Sequence, residues 1–182
     1  DFVPSRGLGD VYKRQPFDLM KSDARMAHAV SRVHESELPL VYVNMVGGQD
    51  ELVYDGASFA LNADGKLAAH LPSFSETTSV IRVGEDFGVP SLTGQMTPPD
   101  DGMGALYRGL TLGLRDYIDK NGFPGVVLGL SGGIDSAIVA ALAVDALGAE
   151  RVHAVMMPSP YTSQESLDDA ADLAGRLGIR LD

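Results

Sequence analysis

Apolar positions along the chain change their period several times, and each change predicts an element. From Ser22 they fall at helical spacing, with Met26, Ala29, Val30 and Val33 on one face of an amphipathic helix. The apolar run 38–46 then reads as a buried strand that stops at Gly47-Gly48. Two shorter strands are expected around 58–61 and 66–71, joined by Asn62-Ala63-Asp64-Gly65, whose glycine suits the left-handed position of a hairpin loop. Helical spacing returns at Leu106, Tyr107, Leu110, Leu114, Tyr117 and Ile118, with Gly122 and Pro124 as the stop.

Beyond Pro124 strand and helix alternate. Residues 126–130 read as a short apolar strand, 137–147 as a helix closed by Gly148, and 152–157 as a second apolar strand. Thr162 and Glu165 form the expected capping box of a further helix through Leu177, ended by Gly178, with Ile179 and Leu181 opening another strand. This alternation implies an α/β fold with parallel strands, whose ligand edge is the carboxyl end of the sheet.

Composition narrows the function classes. The chain has 182 residues, 45% hydrophobic and 21% charged, a globular composition. It lacks the run of roughly 18 apolar residues that a spanning helix needs, so a cytoplasmic protein is expected. A net charge of −11 argues against nucleic acid as a partner, because binding there rests on cations that neutralise phosphates. A small phosphorylated ligand stays open, since local amides and single cations can outweigh a distant acidic surface. With no cysteine, thiol catalysis, disulfides and thiolate metal sites are all absent, and the four histidines show no ligand spacing. His28, His34, His70 and His153 read as packing or solvated residues, and Glu165, Asp168, Asp169 and Asp172 as the exposed face of the last helix.

The segment that carries chemistry follows the strand ending at Leu130: Ser131-Gly132-Gly133-Ile134-Asp135-Ser136, directly before a helix. Glycines let a backbone turn tightly and bring its amides near a ligand, and a helix N-terminus adds unpaired N–H groups and partial positive charge. The hydroxyls of Ser131 and Ser136 can add hydrogen bonds to an anion. Asp135 cannot bind phosphate directly and is best explained as a Mg2+ ligand bridging to it. A bare glycine turn, capped by Asp135 or Ser136, is the structural alternative.

In this strand-loop-helix setting SGGIDS resembles the pyrophosphate loop of the N-type ATP pyrophosphatases; it is not a Walker A loop, which ends in Gly-Lys-Ser/Thr. The flanks, GFPGVVLGL at 122–130 and MMPSPYTS at 156–163, resemble the glutamine-dependent NAD+ synthetase family, and VNMVGGQDELVYDGAS at 43–58 resembles the closing part of that family's nitrilase-type glutaminase domain. The resemblance implies a Rossmann-like parallel sheet of the ATP pyrophosphatase (adenine nucleotide alpha hydrolase-like) type after a fragment of a nitrilase-type αββα sandwich. The implied domains are a foreign or disordered segment over 1–15, the glutaminase part over 16–82, a linker over 83–102 and the start of the synthetase domain over 103–182.

The resemblance also implies the activity: glutamine-derived ammonia amidates deamido-NAD+ through an adenylate, releasing AMP and pyrophosphate. Gly129, Leu130, Ser131, Gly132, Gly133, Ile134, Asp135 and Ser136 would bind ATP, with Asp135 on Mg2+. Lys21, in PFDLMK at 16–21, falls on the family's glutamine-binding cation; a solvated surface lysine is its alternative. The family's catalytic glutamate, lysine and cysteine belong upstream of Pro16, so no catalytic residue is assigned here. Gln15 stands where the family has serine, which marks 1–15 as a junction. The expected partners are small molecules, without nucleic acid or membrane, in a protein that is a homo-oligomer when intact. The competing readings are a GMP-synthetase-like or tRNA-thiolating enzyme, or a non-catalytic fragment that binds ATP or pyrophosphate.

Overall fold

The computed structural model describes residues 10–13, 15–19, 22–86, 88–100 and 102–182. The chain divides into two compact units, Asp1–Gly47 with Leu52–Gly109, and Gly48–Glu51 with Leu110–Asp182. Both are of the expected α/β class.

The first unit is built on a four-stranded sheet. Helix α1 (Ser22–Ser36) lies beside strands β2 (Leu40–Asn44) and β5 (Phe59–Leu61), and β6 (Leu67–His70) and β1 (Asp10–Lys13) complete the order β1-β2-β5-β6. β1 runs parallel to β2, and β2, β5 and β6 pair antiparallel. The helical stripe predicted from Ser22 is the face that packs: Ala29 and Val33 are buried with Tyr42, Phe59 and Leu61, and Met26 and Val30 lean on the same cluster. Gly65 in the β5–β6 turn has φ +78°, the left-handed value the hairpin loop asks for. β3 (Val46–Gln49) and β4 (Leu52–Asp55) form a separate two-stranded sheet. Gly47 and Gly48 therefore lie inside a strand and do not end one, as the sequence pattern had suggested.

Two expectations are corrected in this unit. Residues 10–13, in the 1–15 segment expected to be foreign or disordered, are ordered as a strand and pair with β2 from Asp10↔Val41 to Lys13↔Asn44. Residues 83–102, expected to be a linker, contain the hairpin of β7 (Arg82–Asp86) and β8 (Val89–Thr93). Its Leu92 is 1% exposed and packs with Ala60, Ala68 and Ala69. The chain then continues along β6, with the Gly94 N–H bonded to Ala68 O, His70 N–H to Gln95 O and Thr97 N–H to His70 O. Glycine and proline mimic a linker in composition here, yet one large apolar side chain and the open edge of β6 suffice to dock the segment.

The second unit carries the parallel sheet. After α2 (Gly102–Lys120), which enters from the first unit's residues, the order is β9 (Val126–Gly129), α3 (Ile134–Leu147), a 3-10 turn, β10 (Val152–Val155), α4 (Gln164–Leu177) and β11 (Arg180–Leu181). β10 is central and parallel to both neighbours, in register from Val152↔Val126 to Val155↔Gly129 and at His153↔Arg180 and Ala154↔Leu181. Ala140, Ala143 and Ala146 of α3 and Ala170 and Ala174 of α4 are buried with Leu130, Val152 and Ala154. Small side chains at helical spacing let both helices approach the sheet closely, and dispersion then accumulates over many contacts.

Candidate functional site

The carboxyl ends of β9 and β10 and the amino ends of α3 and α4 converge on one edge of the second unit. Leu130, 4% exposed, fastens the end of β9 in the core, and its N–H bonds to Val155 O at 3.0 Å. Directly beyond it Ser131, Gly132, Gly133, Ile134 and Asp135 are exposed, with Ser136 half-buried. The turn is thus open to solvent at a strand-to-helix junction, and Gly129 at the strand end is exposed as well. Gly133 is the N-cap of α3, with extended φ −83° and ψ 145° and no side-chain cap. The first-turn amides of a helix have no intrahelical acceptor, so an uncapped first turn offers several N–H groups and partial positive charge to an anion.

Three serine hydroxyls shape the turn. Ser136 Oγ accepts from Ser131 N–H at 3.2 Å and reaches the carbonyls of Gly133 at 2.9 Å and Ser131 at 3.1 Å. Ser131 Oγ accepts from Gly133 N–H at 3.3 Å and lies 3.1 Å from Ser136 Oγ. Ser166 of α4 accepts from Gly132 N–H at 3.0 Å. The glycine at 132 is needed for space and not for backbone freedom, since it does not use the left-handed region. A Cβ there would stand 2.8 Å from Ser166 Cα and 3.1 Å from Ser166 O. Ser131, Met157, Thr162 and Ser166 help line a cavity of about 200 Å³ beside the turn.

The cap of α4 differs from expectation. Ser163, one residue after Thr162, is the N-cap, and its hydroxyl accepts from Ser166 N–H at 3.3 Å. Thr162 Oγ1 instead accepts from Ser159 N–H at 2.9 Å, so it closes the preceding turn. Ser166 was not legible as a site residue: a serine inside the first turn of a helix carries no pattern signal, and only the fold brings it to Gly132.

Asp135 is exposed in the first turn of α3. Mg2+ is usually held by one or two carboxylates together with phosphate oxygens and waters, and a single exposed carboxylate at the amide-lined turn fits that donor set. Among the described residues there is no group of three or more His, Asp or Glu able to hold a metal without a ligand's help. The histidines do not converge: His70 Nδ1 lies 2.8 Å from Thr97 O, His153 Nε2 lies 2.9 Å from Asp182, and His28 and His34 are exposed. The Asp182 carboxyl is held below the usual range by its hydrogen bond to Arg180 and, more weakly, by His153. Glu165, Asp168, Asp169 and Asp172 occupy the exposed face of α4. Lys21 lies outside the described residues. No helix among the described residues is long and apolar enough to cross a membrane.

The comparisons with known proteins agree with one another. The family model described as NAD synthase matches residues 106–182. The glutamine-dependent NAD+ synthetase of Rhodobacter capsulatus is 54% identical over 170 residues, which are 92% of this chain and 30% of that protein. The enzyme of the same name from Acinetobacter baylyi is 41% identical over 172 residues, 93% of this chain and 31% of that protein. The solved glutamine-dependent NAD+ synthetase of Acinetobacter baumannii, in complex with ADP, superposes with a TM-score of 0.87 at 43% identity, covering 94% of this chain and 33% of that one. The chain spans about a third of the length of the relatives it matches. Along both units, then, the chain is similar to enzymes of one name, and it shares its fold at this identity with a solved glutamine-dependent NAD+ synthetase.

Proposed function

We propose that the protein to which these residues belong makes NAD+ from deamido-NAD+, ATP and glutamine, and that Gly129–Ser136 is its ATP segment. The observation that carries this reading is the exposed, uncapped first turn of α3 directly after β9, bearing SGGIDS. In the reaction, a carboxylate oxygen of the nicotinic-acid group attacks the α-phosphorus of ATP and pyrophosphate leaves. Ammonia from glutamine then attacks the acyl adenylate, and AMP leaves with the C–O electron pair. The residues of this chain serve the first step by binding: first-turn amides of α3 and the hydroxyls of Ser131 and Ser136 hydrogen-bond phosphate oxygens, and preorganised donors stabilise charge as it grows on the leaving group. Asp135 would hold Mg2+, which when bound offsets phosphate charge.

The shared name of the relatives supports this substrate over a purine nucleotide or tRNA, and the net charge of −11 supports a small-molecule partner over nucleic acid. The glutaminase nucleophile that the resemblance implies is a cysteine, and these residues contain none, so that nucleophile is assigned to the part of the protein they do not span. Lys21, on sequence grounds alone, is proposed to pair with the glutamine α-carboxylate.

Calorimetric titration of this chain with Mg-ATP tests the loop. Ser131→Ala is expected to weaken binding about tenfold, the loss of one hydrogen bond to a charged acceptor. Absence of any binding by the unaltered chain would overturn the assignment of the loop.

A further inference from the structure

The three amides at the head of the loop are all engaged, but in two different ways. Ser131 N–H and Gly133 N–H are held by hydroxyls of the loop itself, those of Ser136 and Ser131. Rotation of a serine about χ1 releases such an amide to an arriving phosphate oxygen at little cost, because the hydroxyl can turn to donate to the same ligand. Gly132 N–H is held from another helix, by Ser166 Oγ at 3.0 Å, 34 residues further along the chain.

That contact is fixed from both sides. Ser166 is tied to the N-cap of α4 through its own N–H, bonded to Ser163 Oγ. Gly132 lies so close to the Ser166 backbone that a Cβ would meet its Cα at 2.8 Å, and backbone atoms cannot swing away as a side-chain tip can. Ser166 also lines the cavity that Ser131 lines.

We propose that Ser166 is a positioning residue: by accepting from Gly132 N–H it anchors the loop to α4 and aims the amides that follow, from Gly133 into the first turn of α3, at the pyrophosphate. The inference rests on the reading of this loop as a pyrophosphate site. Gly132 is in this view an anchor that stays bonded to α4 when the anion arrives, while Ser131 and Ser136 exchange their internal bonds for bonds to the ligand.

The test uses the 182-residue chain, with Mg-pyrophosphate as the probe. Calorimetry gives its affinity, and amide hydrogen exchange by NMR reports the Gly132 N–H without ligand. Ser166→Ala is expected to speed exchange at Gly132 and to weaken Mg-pyrophosphate about tenfold, the scale of one lost hydrogen bond, while the amides of α4 keep their protection. Ser166→Thr, which keeps the hydroxyl, is expected to restore slow exchange and most of the affinity; a role in packing alone would not separate the two variants in this way. If the unaltered chain binds and Ser166→Ala binds equally well, the positioning role is overturned and the pyrophosphate site stands. If the unaltered chain binds no pyrophosphate, the reading of the loop fails and the inference falls with it.

Discussion

The Arg25 guanidinium donates to the Asp55 carboxylate at 3.1 Å, with the two side chains only 6% and 7% exposed. One comes from α1 and the other from β4, and Asn44 at the end of β2 donates to the same carboxylate oxygen at 3.0 Å. The pair thus ties three elements of the first unit around one buried charge. Arg25 also lies 5.8 Å from the centre of the Tyr42 ring, and among the described residues its Nε is buried without a hydrogen-bond partner.

Removing one member of a buried pair leaves the other charge without compensation, at a cost of about 3–5 kcal/mol. Asp55→Ala is therefore expected to lower the unfolding free energy of the chain by about that amount. The double variant Arg25→Met with Asp55→Leu should recover much of the loss, because neither charge is then buried. Urea denaturation of the single and double variants decides this; equal stability of Asp55→Ala and the unaltered chain would show that the pair does not hold the unit together.

Tyr42 gives a pH signature in the same region. Burial raises its phenol above the ordinary value of 10.0, Arg25 opposes this, and Asp55 adds to it. A phenol with a raised folded-state value contributes stability that is complete below pH 10.0 and is lost as pH climbs from there through the folded value, because the unfolded chain releases its proton first. Tyr42→Phe should accordingly show a shallower fall in urea midpoint as pH rises above 10.0 than the unaltered chain. Parallel alkaline curves for the two proteins would contradict the buried phenol.

Gly132→Ala places a methyl group against the backbone of Ser166. Overpacking of this kind costs about 1–3 kcal/mol, here taken from the loop rather than from the core. Affinity for Mg-pyrophosphate is expected to drop about tenfold or more, since tenfold corresponds to about 1.4 kcal/mol within that range, while circular dichroism keeps its helical signal. Retained affinity would mean that the loop moves freely past α4.

Asp135→Asn separates the metal from the anion. Titrations with pyrophosphate in Mg2+ should weaken about tenfold, whereas those in a chelator should be unchanged or slightly stronger, since a repelling carboxylate has gone. A loss of equal size in both conditions would assign Asp135 to the turn's geometry and not to Mg2+.

Much of this protein can be read from residue patterns because the relevant physics is local. The stripe Met26, Ala29, Val30 and Val33 predicts α1, and Asn62-Ala63-Asp64-Gly65 predicts the β5–β6 turn, because helical period and turn chemistry depend on neighbours within a few positions. The apolar strands flanking SGGIDS and the helix after it are predicted on the same grounds, and so is the exposed loop between them. The 83–102 segment misleads because its docking depends on Leu92 finding Ala60, Ala68 and Ala69, a match that composition does not encode. The shift of the α4 cap from Thr162 to Ser163 is a matter of one residue, decided by which hydroxyl faces the helix and which faces the preceding turn.

The sequence by itself determined the make-up of the turn: glycines, hydroxyls and a carboxylate between a strand and a helix, the residue types on which the proposed binding of an anion and a cation rests. Only the tertiary structure decided how that turn is held, because the parallel pairing of β9 with β10 brings Ser166 beside Gly132 across 34 residues. Likewise it alone joined Arg25, Asn44 and Asp55 into one buried network. Contacts between distant residues arise from the packing of whole elements, whereas a strand, a turn or a helix cap is set by torsions and neighbours that the chain carries wherever it is placed.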